Sequence, residues 1–268
     1  MTPTTGVTQL RVITAEWIKL RTVRSTPLTL GIAAVAMVGL GSVLSWSFAN
    51  RISSGQATAG AGLITVPVRG GIVAQLVIGV LGVLVVSGEY SAGTISASLT
   101  AVPRRLPVLW AKAAVFGVTV LATMTAASFV AFGIGEAIMH SSRAHVSASL
   151  ATPGAVRVVT GIGLYLFLVA LFAVAVATIV RSTAGSIAVV AGVLLVLPTL
   201  ASLLPKDLLG TDISRYLPST AGAALLQPYR QADILAPWIG FAVFGLYVAV
   251  TMLVAAYLLR RRDVGSAS

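Results

Sequence analysis

The stretch VVTGIGLYLFLVALFAVAVATIV, from Val158 to Val180, runs for 23 residues without one charged side chain. As a helix it extends about 34 Å at about 1.5 Å per residue, enough to cross a hydrocarbon core of about 30 Å. No water in that core satisfies a backbone N–H or C=O, so the run reads as a membrane-spanning helix. Arg181 and a small polar stretch, Ser182 to Ser186, follow at once, and a second apolar run continues to about 204. A single helix over both runs would be far too long for a bilayer. The sequence therefore predicts a tight helical hairpin broken at Arg181.

On either side of this pair, charge-free runs occupy roughly 28–49, 70–87, 113–135 and 234–259. The expected fold is an all-α integral membrane protein. Its parts are a cytoplasmic N-terminal segment (1–27), a six-helix transmembrane domain (28–260, with spans at about 28–49, 70–87, 113–135, 158–180, 182–204 and 234–259) and a cytoplasmic tail (261–268). Composition agrees: 57% of the 268 residues are hydrophobic and 9% charged, with a mean hydropathy of +0.98. An ordinary soluble domain carries about a quarter charged residues. Cysteine is absent, which removes disulfides and thiolate chemistry.

The net charge of +11 reflects basic residues gathered beside the ends of the apolar runs, a placement that sets orientation and argues against nucleic-acid binding. Six spans put 11 of the Lys and Arg residues on the side of the termini and 7 on the other. The richer side is expected to be cytoplasmic, leaving loops 50–69, 139–157 and 205–233 outside. The first two look like linkers. The third contains the apolar Ala221 to Leu226 between Pro218 and Pro228, too short to span, and is expected to fold as short helices against the outer mouth of the bundle.

No signal peptide is expected, because the first long apolar run begins only near Leu28. Before it, Leu10, Ile13, Trp17 and Leu20 recur every three or four residues, with Arg11 and Lys19 opposite. That is the pattern of an amphipathic helix in the membrane interface; a cytoplasmic extension of the first span is the alternative. Pro27 favours a break before the first span.

The phosphate-cradling motif GxxxxGK[ST] does not occur in the sequence, and neither does HExxH. No catalytic, cofactor or metal site is expected. None of the acids Glu16, Glu89, Glu136, Asp207, Asp212, Asp233 and Asp263 falls mid-span, where an ion-coupled carrier holds its ion. Two polar residues are candidates for a translocation path. Gln75, well inside the second run, could line it or could make an interhelical hydrogen bond, the commoner role. Glu136, near the outer end of the third, could meet a cationic substrate, pair with Arg157 or simply be solvated. Gly79, Gly82, Gly133 and Gly135 read as close-packing positions.

The connection between the second and third spans is the most informative cytoplasmic segment. Glu89 is expected in the first turn of a short helix, where a carboxylate favours the positive end of the dipole. Ala92, Ile95 and Leu99 give that helix an apolar side, and Pro103 ends it before Arg104 and Arg105. A short amphipathic helix of this kind suits docking to a soluble partner; a surface turn with an ordinary cap is the alternative.

The run GEYSAGTISASLTAVPRR (88–105) resembles the segment E-(Y/F)-x-x-G-T-(I/L)-x-x-x-L-x-x-x-P-x-R that follows the second span in permeases of the ABC-2 family. EWIKLRTVRSTP (16–27) is similar to the elbow segment opening many of those permeases, especially in actinobacteria. The resemblance implies a multi-pass permease of the bacterial cytoplasmic membrane. It would dimerise with an identical or different permease subunit and dock on a separate ATP-binding subunit, which alone uses ATP and Mg. It would export a drug, antibiotic, peptide or lipid-like substrate and have no enzymatic activity of its own. On the same basis Glu89, Tyr90, Gly93, Thr94, Ile95, Leu99, Pro103 and Arg104 form the ATPase-coupling segment, and Glu16, Trp17, Lys19, Leu20 and Arg21 belong to the elbow helix. The alternatives are an ion-coupled carrier or channel, disfavoured by the empty span interiors, and an intramembrane lipid-modifying enzyme, which would need clustered reactive groups at one depth.

Overall fold

The computed structural model describes residues 9–22, 25–91, 105–143, 145–203, 213–231 and 233–261. These residues form helices, turns and loops, with no strand among them. Helix α1 (Gln9–Thr22) is followed by the first span, α2 (Ser25–Ser53). Pro27 sits in the first turn of α2, where a missing N–H goes unused. Helices α3 (Gly71–Ser91), α4 (Arg105–Ser141) and α5 (Ala155–Val180) come next. The fifth span, α6 (Thr183–Leu203), contains a π-helical turn at Gly192–Val196. A short helix, α7 (Pro218–Ala223), runs into a 3-10 turn at Ala224–Leu226, and α8 (Pro237–Arg261) is the last of the described helices.

Six of these helices are long and apolar enough to cross a membrane, as the sequence reading expected. The hairpin between α5 and α6 also forms where the polar stretch placed it. Arg181 takes the left-handed conformation (φ 59°), its N–H closes on Ala177 O at 3.0 Å, and Ser182 Oγ caps α6 by accepting from Gly185 N at 3.3 Å.

The third span is longer than its charge-free run. Lys112 and Glu136 bound that run in the sequence, but no breaker accompanies them, and the helix continues over 37 residues. At about 55 Å it is longer than a bilayer core.

Helix α5 is the hub. Of its most apolar window 78% is buried, against 17% for α6. Phe116, Met124, Leu166 and Phe244 are completely enclosed around it. Since lipid tails are as apolar as leucine, close van der Waals fit and interhelical hydrogen bonds hold such a bundle together. Gly82 supplies fit: a Cβ there would stand 2.8 Å from Ala173 Cβ. Gly79 is tight against Val190, and Gly135 against Pro67 and Ser45. Gly133 is not a packing position; it faces open space.

The loops at 50–69 and 139–157 are more than linkers. Ile64, Val68 and Ala148 pack with Phe132, Ala155, Val158 and Val159 in a second small core across the ends of α4 and α5. Residues 63–68 are mostly apolar, and folding back removes them from solvent. Within 205–233, α7 and its 3-10 turn wedge between α5 and α8. Leu225 is fully buried over Gly161, and Gly240 admits the Ala221 carbonyl.

Candidate functional site

Six crossings return the chain to the face on which it began, so α1, the end of α3, the start of α4 and the end of α8 gather at one end of the bundle. There α1 lies against α4. Val12 and Glu16 are buried on its inner side, one helical turn apart, with Leu20 partly buried against the core on the next turn. Glu16 bridges two lysines: Oε1 accepts from Lys19 Nζ at 3.1 Å and Oε2 from Lys112 Nζ at 2.9 Å. The Lys19 side chain is half exposed, whereas those of Glu16 and Lys112 are only 7% and 9% exposed. Two charges that far from water are tolerable because each meets the other directly.

The inward stripe differs from the one the sequence suggested. Trp17 and Ile18 point outward, with Lys19 and Arg21, while the acid Glu16 points in. Apolar periodicity placed Trp17 with Ile13 and Leu20 on one face. The third-span lysine overrides that preference by attracting Glu16. Trp17, exposed beside a bundle of spans, remains suited to a headgroup layer.

The coupling segment falls mainly outside the described residues, which stop at Ser91 and resume at Arg105. Gly93, Thr94, Ile95, Leu99, Pro103 and Arg104 lie in that interval. Glu89 and Tyr90 are described as backbone, and they occupy the last turn of α3. Glu89 is thus not in the first turn of a separate helix. Nothing between Val86 and Ser91 stops helix propagation except Gly88, and a single glycine is tolerated. The favourable dipole term expected for Glu89 at a helix start does not apply at a helix end. The segment leads directly into α4, and Lys112 lies seven residues beyond Arg105, about 10 Å along that helix.

Deeper in the bundle, Gln75 of α3 is buried. Its Nε2 donates to Leu194 O of α6 at 3.3 Å, and its Oε1 accepts from the Tyr165 hydroxyl of α5 at 2.8 Å. The interhelical bond foreseen for Gln75 is therefore present and joins three spans. The same amide borders a cavity of about 60 Å³ between α3 and α6, walled by Leu76, Val80, Ile187, Val190 and Leu194. Ser128 makes a comparable link, donating to Val159 O at 2.7 Å.

At the opposite face Glu136 is half-buried. Arg157, the partner the sequence offered it, instead donates to the carbonyls of Gln227 and Pro228 at 2.7 and 2.9 Å and pins the segment after α7 to α5.

Sequence reasoning missed Lys112, counted only as a loop charge, and Tyr165, hidden in an apolar run. It also passed over Pro198, although a proline inside the fifth run was a legible signal that one helix carbonyl needs another donor.

Residues 12–198 match the family model described as ABC-2 family transporter protein. That interval begins in α1, contains the whole 88–105 segment and ends in α6. No curated protein matches the chain at a significant level.

Proposed function

The chain belongs to the ABC-2 family of transporter proteins, and from that premise we propose that it is the permease subunit of an ATP-driven exporter in a bacterial cytoplasmic membrane. It is a multi-pass membrane protein whose family works in association with an ATP-binding subunit. Export direction, a second permease subunit and a drug-, antibiotic-, peptide- or lipid-like cargo are the finer parts of the proposal. The observation that carries it is the extent of the family match, which takes in four whole spans and most of the fifth together with the segments 16–27 and 88–105.

A membrane bundle without a phosphate-cradling loop must receive its energy from outside, through surfaces that reach the cytoplasm. In our reading the 88–105 segment receives the ATP-binding subunit. Gly93 lets the partner's backbone approach, Glu89 presents a charge, and α4 carries the displacement into the bundle. The elbow helix, tied to α4 by Glu16 and Lys112, moves with it. ATP and Mg belong to the partner.

The test is ATP binding and hydrolysis by the purified chain in lipid nanodiscs, alone and after assembly with the ATP-binding subunit. Activity is expected only in the assembled complex. ATP turnover by a partner-free preparation would overturn the assignment.

A further inference from the structure

In an α-helix the carbonyl of Leu194 accepts from the N–H four residues on, and that residue is Pro198, which has none. The helix accommodates the proline with the π-helical turn Gly192–Val196 immediately before it. Such turns are rare and gather at functional positions. The donor that reaches Leu194 O belongs to another helix: Gln75 Nε2, at 3.3 Å. One side-chain amide thus replaces a backbone bond that the sequence of α6 forbids.

The two sides of this contact are unequally held. Tyr165, which orients the amide through its hydroxyl, is on the buried hub helix, and its ring packs on Phe244 with centroids 5.7 Å apart. Gly222 of α7 presses on the same ring. Helix α6, by contrast, is the least buried of the six spans, and beyond Pro198 it exposes Leu200 and Leu203. The small cavity beside Gln75, bordered on α6 by Val190, Leu194 and Leu195, leaves the seam between α3 and α6 loosely packed where the bond is made.

We propose that Gln75 is a positioning residue for transport: its bond to Leu194 O is a releasable latch on a proline hinge, and the part of α6 from Leu195 to Leu203 swings when the latch opens. Interhelical side-chain hydrogen bonds inside a membrane have a small average net worth, so the latch can open and close within a transport cycle. The rest of α6, from Thr183 to Ala191, stays with the hairpin at Arg181.

The chain has no cysteine, so two introduced cysteines are unique labelling sites. Spin labels at Leu200→Cys and Val43→Cys, both exposed positions on α6 and α2, report the outer part of α6 by pulsed electron resonance on the full chain in nanodiscs. Gln75→Leu is expected to broaden the distance distribution and raise the displaced population about fivefold, the shift one net hydrogen bond gives. Pro198→Ala restores the missing N–H. It should narrow the distribution by itself and also narrow it in the Gln75→Leu background. If Gln75 merely filled space, the double variant would stay as broad as Gln75→Leu, and the proposal would be wrong. An unchanged distribution in Gln75→Leu would equally overturn it. Should Gln75→Leu fail to fold, Tyr165→Phe removes the hydroxyl that orients the amide and should broaden the distribution in the same direction; no broadening there also contradicts the latch. The distance readout is independent of the transport assignment, so either can fail without the other.

Discussion

Glu16 and Lys112, 96 residues apart in the chain, meet at 2.9 Å and join the N-terminal helix to the third span. The contact ties together two elements at the face where the chain begins and ends, and one of them, α4, starts where the 88–105 segment finishes.

Removing either partner takes a buried ion pair apart. Glu16→Leu removes the partner of both lysines and is expected to lower stability by up to about 3–5 kcal/mol, whereas Lys112→Met should cost less, because Glu16 keeps Lys19. The double variant should lose less than the sum of the two single losses, since replacing both charges with apolar groups is nearly neutral. Thermal unfolding in nanodiscs reads this directly. Additive losses would mean that the two residues contribute separately.

Packing makes opposite predictions for two glycines on one helix. Gly135→Leu drives a side chain into Pro67 and Ser45 and should cost about 1–3 kcal/mol or more. Gly133→Ala meets open space and should be neutral or stabilise by about 0.5–1 kcal/mol, because alanine suits a helix better. The same melting assay separates them, and equal behaviour would refute the placement of α4 against 61–70.

Arg157 holds the segment after α7 through two carbonyls. Arg157→Met should loosen residues 218–231 without unfolding the bundle, since charge-assisted hydrogen bonds carry about 1.5–3 kcal/mol. Faster hydrogen exchange confined to that region is the expected result. Unchanged exchange there would show that apolar contacts at Ala221, Ala224 and Leu225 suffice.

The six spans were legible because each must be apolar over a bilayer's thickness, and the 158–180 run is apolar all round because it sits at the centre. Helix ends were less legible. Lys112 and Glu136 stop a charge-free run without stopping a helix. Burial of Glu16 depended on a lysine distant in sequence, which periodicity within one helix does not reveal. Gln75 was visible as the polar residue in an apolar run, whereas its partners needed the fold: Tyr165 is across the bundle, and Leu194 matters only because of Pro198. The packed loops read as linkers because their apolar stretches, such as 63–68, are too short to span and adjoin segments rich in glycine and serine.

Cytoplasmic termini are part of the proposal, favoured by the basic residues, 11 on the side of the termini against 7. Ser266→Cys should react with an impermeant thiol reagent only after the cells are opened, whereas Ser54→Cys and Ser142→Cys should react in intact cells. Labelling of Ser266→Cys in intact cells would reverse the topology.

The central claim is that this permease is driven through the segment between its second and third spans. Co-purification of the ATP-binding subunit with the wild-type chain and with Gly93→Leu tests it most directly. The expected result is that Gly93→Leu inserts in the membrane at the wild-type level yet retains little of the ATP-binding subunit. Full retention by Gly93→Leu would contradict the account and move the docking surface to the elbow helix around Trp17 or to the hairpin at Arg181.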